Sequence, residues 1–218
     1  RDRFRTGGGI DRIYGLDRGD TLDAGSGQDW AHLDLRWGAE ETDPAEDIVM
    51  VLADNQTVEA VYYEGTEHET RILGLERMHL YTGAGNDLYD TRGVSSSWNT
   101  FQLSHYFDAG AGDDTYASDL KSLGYANFVA GEGYDRLILD WSITTSNVTL
   151  TTGTTENIYR TAMPVFGEVR QHFSDIEEID LQTGSGSDQV YAVGGRDRFR
   201  TGDGADRIYG LDRGDTLD

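Results

Sequence analysis

The sequence predicts an all-β protein: a parallel β-solenoid interrupted by two antiparallel β inserts. Three observations carry this expectation. Asp2, Asp11, Asp20 and Asp29 lie nine residues apart, and Phe4, Ile13, Leu22 and Ala31 follow two residues behind them. A fixed short period means one small structural unit stacked on copies of itself. No stretch sustains the 3.6-residue apolar period of a helix. A longer recurrence encloses the short one: residues 196–218 repeat residues 1–23 except at Gly8/Asp203 and Ile10/Ala205, a tandem period of 195 residues.

Taken in order, residues 1–35 form the first block of roll, with two- or three-residue strands around Phe4, Ile13 and Leu22 separated by Gly/Asp turns. The beat is lost in 36–73, an acidic loop followed by β-rich runs at Ile48–Leu52 and Val58–Tyr63 on either side of Asp54-Asn55, a turn-forming pair. It returns with degenerate turns in 74–141, gives way to a Thr/Val-rich insert at 142–174, and runs unbroken from 175 to 218. A half-repeat is also visible. Residues 24–35 (AGSGQDWAHLDL) align with 130–141 (AGEGYDRLILDW), and 74–87 (GLERMHLYTGAGND) with 175–188 (DIEEIDLQTGSGSD).

Composition narrows the chemistry. The formal net charge is −22 with 37% hydrophobic residues, and Lys121 is the only lysine. There is apolar material for a core, yet self-repulsion on that scale favours bound cations. Nucleic acid is not an expected partner, because phosphate binding needs an excess of clustered Lys and Arg. With no cysteine, disulfides, thiolate metal sites and cysteine nucleophiles are all absent. No apolar run is long enough to span a bilayer.

Seven G-x-G-x-D motifs carry the candidate site: Gly7, Gly9, Asp11; Gly25, Gly27, Asp29; Gly83, Gly85, Asp87; Gly110, Gly112, Asp114; Gly131, Gly133, Asp135; Gly184, Gly186, Asp188; and Gly202, Gly204, Asp206. Thr or Ala precedes them, and an apolar or aromatic residue falls two after the Asp. Glycine allows the backbone to aim several carbonyls into one turn, and Asp adds a hard anionic oxygen. Carbonyls and carboxylates without sulfur suit Ca²⁺ rather than Zn²⁺ or Cu²⁺. A G-x-G-x-x-G phosphate cradle is a poor alternative, since it needs a helix to follow and no carboxylate lining.

These motifs resemble the RTX (repeats-in-toxin) nonapeptide G-G-x-G-x-D-x-U-x, in which U is an inward apolar residue. The resemblance covers about half the chain and implies a parallel β-roll with two nonapeptides per coil, several Ca²⁺ ions between stacked turns, and export by a type I secretion system. Carried over, it pairs Asp11 with Asp29, Asp2 with Asp20, Asp188 with Asp206, Asp197 with Asp215, and Asp114 with Asp135. The partner of Asp87 is expected near His105. The turns at Leu16, Leu211 and Val193 lack the first glycine and are expected to be looser.

Other constellations fall short. His68-Glu69 lacks the second histidine of H-E-x-x-H, and no G-x-S-x-G elbow occurs. The five histidines are scattered in sequence and read as structural or exposed. The acidic run Glu40, Glu41, Asp43, Glu46 and Asp47 reads most simply as a solvated loop, with an auxiliary calcium site as the alternative. Trp30, Trp37, Trp98 and Trp141 could stack on carbohydrate, but capping of the roll where the inserts dock is the simpler role. No catalytic residue is expected.

The resulting expectation is a calcium-dependent structural repeat of a large bacterial adhesin, filament or surface-layer protein, secreted to the cell surface. Its partners would be adjacent repeats of the same protein, with self-association through exposed roll ends. Alternatives are the calcium-binding, secretion-assisting module of a secreted enzyme, or a glycan-binding module using the inserts.

Overall fold

The computed structural model describes residues 2–16, 19–36, 47–54, 58–62, 70–75, 77–93, 103–119, 124–152, 157–163, 167–192 and 194–218. Among the described residues there is no helix. The chain winds back and forth between two sheets, so that inward side chains from both build one continuous core.

Sheet one takes β1 (Arg3–Arg5), β4 (Thr21–Asp23), β7 (Val49–Asp54), β8 (Val58–Tyr62), β9 (Thr70–Leu73), β11 (Leu88–Gly93), β13 (Thr115–Asp119), β15 (Arg136–Asp140), β19 (Glu178–Gln182), β21 (Arg198–Arg200) and β23 (Thr216–Leu217). Sheet two takes β3 (Arg12–Tyr14), β6 (Trp30–Asp34), β10 (Arg77–Gly83), β12 (Leu103–Ala111), β14 (Gly124–Glu132), β16 (Val148–Thr152), β17 (Asn157–Met163), β18 (Gly167–Ser174), β20 (Gln189–Tyr191) and β22 (Arg207–Tyr209). The turn strands β2 (Gly8–Gly9) and β5 (Ser26–Gly27) pair with each other.

Alternation along each short strand sets what is buried. In β6, Ala31 and Leu33 face inward between half-buried Trp30, His32 and Asp34. The residue two after each motif Asp is buried in six of the seven cases, from Ile13 to Val190, and Ile208 packs against the same core.

Neither insert forms a separate layer, because both are woven into the sheets. β7 pairs in parallel with β11 of the following coil, β9 with β4 of the preceding coil, and β8 runs antiparallel between them. In sheet two, β16 pairs with β20, β18 with β14, and β17 runs antiparallel between β16 and β18. Each insert thus fills three strand places in one sheet where a plain coil fills one. From the first insert to the second the two sheets are out of step by two places. Coils there are longer: Arg77 pairs with Ser104 and Leu103 with Gly124, whereas Arg3 pairs with Thr21 eighteen residues on.

Candidate metal-binding turns

The motif turns stack in two columns, one on each edge of the roll. Close stacking explains the glycines. A β-carbon on Gly25 would lie 1.8 Å from the Gly7 carbonyl oxygen, and one on Gly27 1.7 Å from that of Gly9. Both glycines also have positive φ, +89° and +150°, a backbone region that L side chains rarely enter.

Each aspartate serves the turn stacked on it. The Asp11 N–H donates to Asp29 Oδ1 at 2.9 Å and the Asp2 N–H to Asp20 Oδ1 at 2.7 Å. The Asp188 N–H donates to Asp206 Oδ1 at 2.9 Å and the Asp197 N–H to Asp215 Oδ1 at 3.0 Å. The central run is longest: Ile48 N–H to Asp87, Asp87 N–H to Asp114, Asp114 N–H to Asp135, and Asp135 N–H to Glu177 Oε2, all at 2.7–2.8 Å. Asp87 therefore stacks with Asp114, twenty-seven residues on. The strand carrying His105 pairs instead with β10, placing His105 opposite Met78. A second, outer ladder runs alongside, in which Asn86, Asp113 and Tyr134 N–H groups donate to Asp47 Oδ1, Asn86 Oδ1 and Asp113 Oδ1.

Sequence reasoning missed Asp47 and Glu177, which close the two ends of this central column without belonging to a motif. Asp47 is thus built into a turn instead of lying in a solvated loop; Glu40, Glu41, Asp43 and Glu46 fall outside the described residues. Glycine-free residues 144–148 also form a turn of the opposite column. Gly184 seats on the Thr144 carbonyl, and the Ser187 N–H donates to Asn147 Oδ1 at 2.8 Å. The Leu16 side chain is buried where the motif has glycine, whereas Leu211 is exposed; Val193 lies outside the described residues.

The second carboxylate oxygens test whether these turns fit a cation. Oδ2 of Asp11, Asp114 and Asp135 is buried and accepts no hydrogen bond. Unmet buried carboxylate oxygens are costly. Burial foremost pushes the Asp87, Asp114 and Asp135 carboxyls up to about 6, 7 and 6; the neighbouring acidic charges add to the effect, partly offset by hydrogen bonds each accepts. Asp29 and Asp188 are also raised, chiefly by burial; Asp188 Oδ2 accepts from the Thr183 hydroxyl. Among the described residues no three His, Asp or Glu side chains converge. A cation here would accordingly be held mainly by turn carbonyls with one or two carboxylates, the donor set of a hard ion such as Ca²⁺. The residues fit it.

Two of the histidines read as scattered meet on the outer face of sheet two. His32 and His79 are opposite each other in the β6–β10 pairing, and with Tyr14, Trp30, Tyr81 and Tyr106 they form a stripe of ring contacts 5.1–6.3 Å apart. Trp30 belongs to this stripe whereas Trp141 is buried, so these two do not share a surface. Trp37, Trp98 and His68 lie outside the described residues.

Fold and turns together define a parallel β-roll whose edges present the oxygen donors of a hard-cation site. More particularly, residues 1–34 and 182–217 match the RTX calcium-binding nonapeptide repeat in four copies. Both ends of the chain are thus similar to RTX repeats, and RTX nonapeptide repeats bind Ca²⁺. No curated protein matches the chain. The matched segments leave out 83–135, where three further motif turns stack in the same way with irregular spacing.

Proposed function

We propose that this chain is a calcium-folded structural repeat of a secreted bacterial tandem-repeat protein, an adhesin, filament or surface-layer component. The observation that carries the calcium part is the set of buried Oδ2 atoms without donors at Asp11, Asp114 and Asp135. The ligands would be Asp2, Asp11, Asp20, Asp29, Asp87, Asp114, Asp135, Asp188, Asp197, Asp206 and Asp215 with the carbonyls of their glycine turns. Bound Ca²⁺ would neutralise carboxylates stacked every ~4.8 Å along each edge, so binding free energy is largely folding free energy. A chain that stays unfolded at low calcium and folds at extracellular calcium suits export before folding.

The 195-residue recurrence supports a length-giving array over a module attached to one secreted enzyme. In the array role the chain contributes no chemistry of its own. Circular dichroism during calcium titration, reversed with chelator, tests the reading. A cooperative gain of β signal on adding Ca²⁺ is expected; full β structure in chelator would sink it.

A further inference from the structure

The two inserts lie in opposite sheets, and the half-repeat explains why. Residues 24–35 lead through β6 of sheet two, whereas the aligned residues 130–141 lead through β15 of sheet one. Counting sheet crossings from β6 to β15, with the first insert as a single visit, gives seven. From β15 to β23 there are six, with the second insert again a single visit, and the step from β4 to β6 adds a seventh once β23 is equated with its repeat counterpart β4. Each half-repeat therefore ends in the sheet opposite the one where it began. The first insert adds two extra strands to sheet one and the second adds two to sheet two. Along the strand order, β1 to β21 and β4 to β23 are nine places apart in sheet one, and β3 to β22 nine in sheet two. The offset opened by the first insert is closed by the second.

Burial at the two copies of the shared 23 residues points to what sits beyond them. Phe199, with a coil before it, is 0% exposed, while its counterpart Phe4 at the start of the roll is 38% exposed. Leu22, with a coil after it, is 0% exposed, while its counterpart Leu217 is 54% exposed. Each site is completed by the coil that the other copy possesses.

We infer that successive 195-residue repeats join as one uninterrupted roll, in which the two halves of each repeat are related by an approximate two-fold screw, the inserts compensate each other and each repeat advances both sheets by nine strands. At the ~4.8 Å spacing of paired strands this is an axial rise of about 43 Å per repeat. The partner fitted by each roll end is the neighbouring repeat of the same protein. This rests on the tandem-array reading, and is tested separately from it.

The test is small-angle scattering in calcium of this chain and of a longer chain in which residues 24–218 follow Asp218 once more. The maximum dimension should grow by about 43 Å with an unchanged cross-section. A growth well above that with the signature of two separate bodies would mean a hinge at the seam, and a thickened cross-section would mean side-by-side packing; either overturns the inference. Circular dichroism of the same samples separates the two readings, since calcium-dependent folding with the wrong axial step rejects the seam alone. A mutation pair sharpens it. Phe4→Ala should cost little in the single chain, whereas the equivalent change at the internal seam, Phe199→Ala, should lower the unfolding midpoint markedly; equal effects would contradict the seam packing.

Discussion

The flanks and the centre of the roll solve the same stacking problem with different means. In the flanks, coils of eighteen residues close over a mostly aliphatic core of Ile13, Leu22, Ala31 and Leu33. In the centre, where the sheets are out of step, coils are longer and the core is aromatic. Tyr89 meets Phe107 at 5.3 Å, and Tyr116 meets both Phe128 at 5.4 Å and Phe173 at 5.7 Å. What stays constant is the turn: glycine on carbonyl, aspartate on N–H. The turn sets the stack, and the core adapts to how far apart the opposing strands fall.

The largest expected effect comes from moving the offset between these regions. Deleting 49–70 or 149–169 alone keeps local register but leaves the sheets two places out of step in the C-terminal flank, whose eighteen-residue coils have no length to spare. Hydrogen exchange in calcium should show that flank losing protection in either single deletion and regaining it in the double deletion. Failure of the double deletion to recover would contradict the compensation.

Next in size are the turn glycines, which should matter alike in both regions. Gly27→Ala and Gly133→Ala place β-carbons 1.7 and 1.8 Å from the carbonyl oxygens of Gly9 and Gly112. Strain at positive φ alone is about 1–3 kcal/mol, so a loss of about 3 kcal/mol or more is expected for each by denaturant titration in calcium. A tolerant centre would mean that its turns do not stack tightly.

Phe128→Ala should cost about 3–5 kcal/mol in the centre, and Leu22→Ala about 2–5 kcal/mol in the flank. Rescue of the first by an apolar cavity ligand, seen as a raised melting temperature, would identify the aromatic centre as the roomier part.

pH separates the regions in a different way. The folded-state pKa values of Asp87, Asp114 and Asp135, about 6, 7 and 6, lie above the ordinary 3.8. In calcium-free protein their contribution to stability is present below about pH 4 and is lost as pH rises through 6 to 7. Calcium-depleted protein should therefore hold more β structure at pH 5 than at pH 8. Calcium affinity should run the opposite way, because the cation displaces those protons. Parallel trends in both conditions would argue against calcium at these carboxylates. The smallest effect is expected on the outer face of sheet one, where Arg200 pairs with Asp180 at 2.8 Å. As a partly exposed pair, its loss in Arg200→Ala should change stability by less than about 1 kcal/mol.

Much of this was legible in the sequence because the repeat is local. The motif fixes turn, aspartate and inward apolar residue within nine positions, and eighteen-residue spacing pairs Asp11 with Asp29 and Asp188 with Asp206. Asp87 escaped that rule because the connection after β11 lengthens its coil to twenty-seven residues. The turn-closing roles of Asp47 and Glu177 were not legible because a turn can be closed by any residue with a correctly placed oxygen, and no glycine marks them. The weaving of the inserts was hidden for another reason. Antiparallel strands announce themselves by composition, but nothing local says which coil each outer strand will join. The meeting of His32 and His79 follows from the same long-range register.

The stacking of coils has a mechanical consequence. Eleven strands of sheet one occupy about 48 Å along the roll axis, while 218 extended residues span roughly 720–780 Å. A pull along the axis loads the coils in series, so they can release one by one from an exposed end, each paying out chain many times its stacked height. In a tandem array such a roll would lengthen under load before it breaks, and calcium bound in its turns would set the tension at which it starts to unwind.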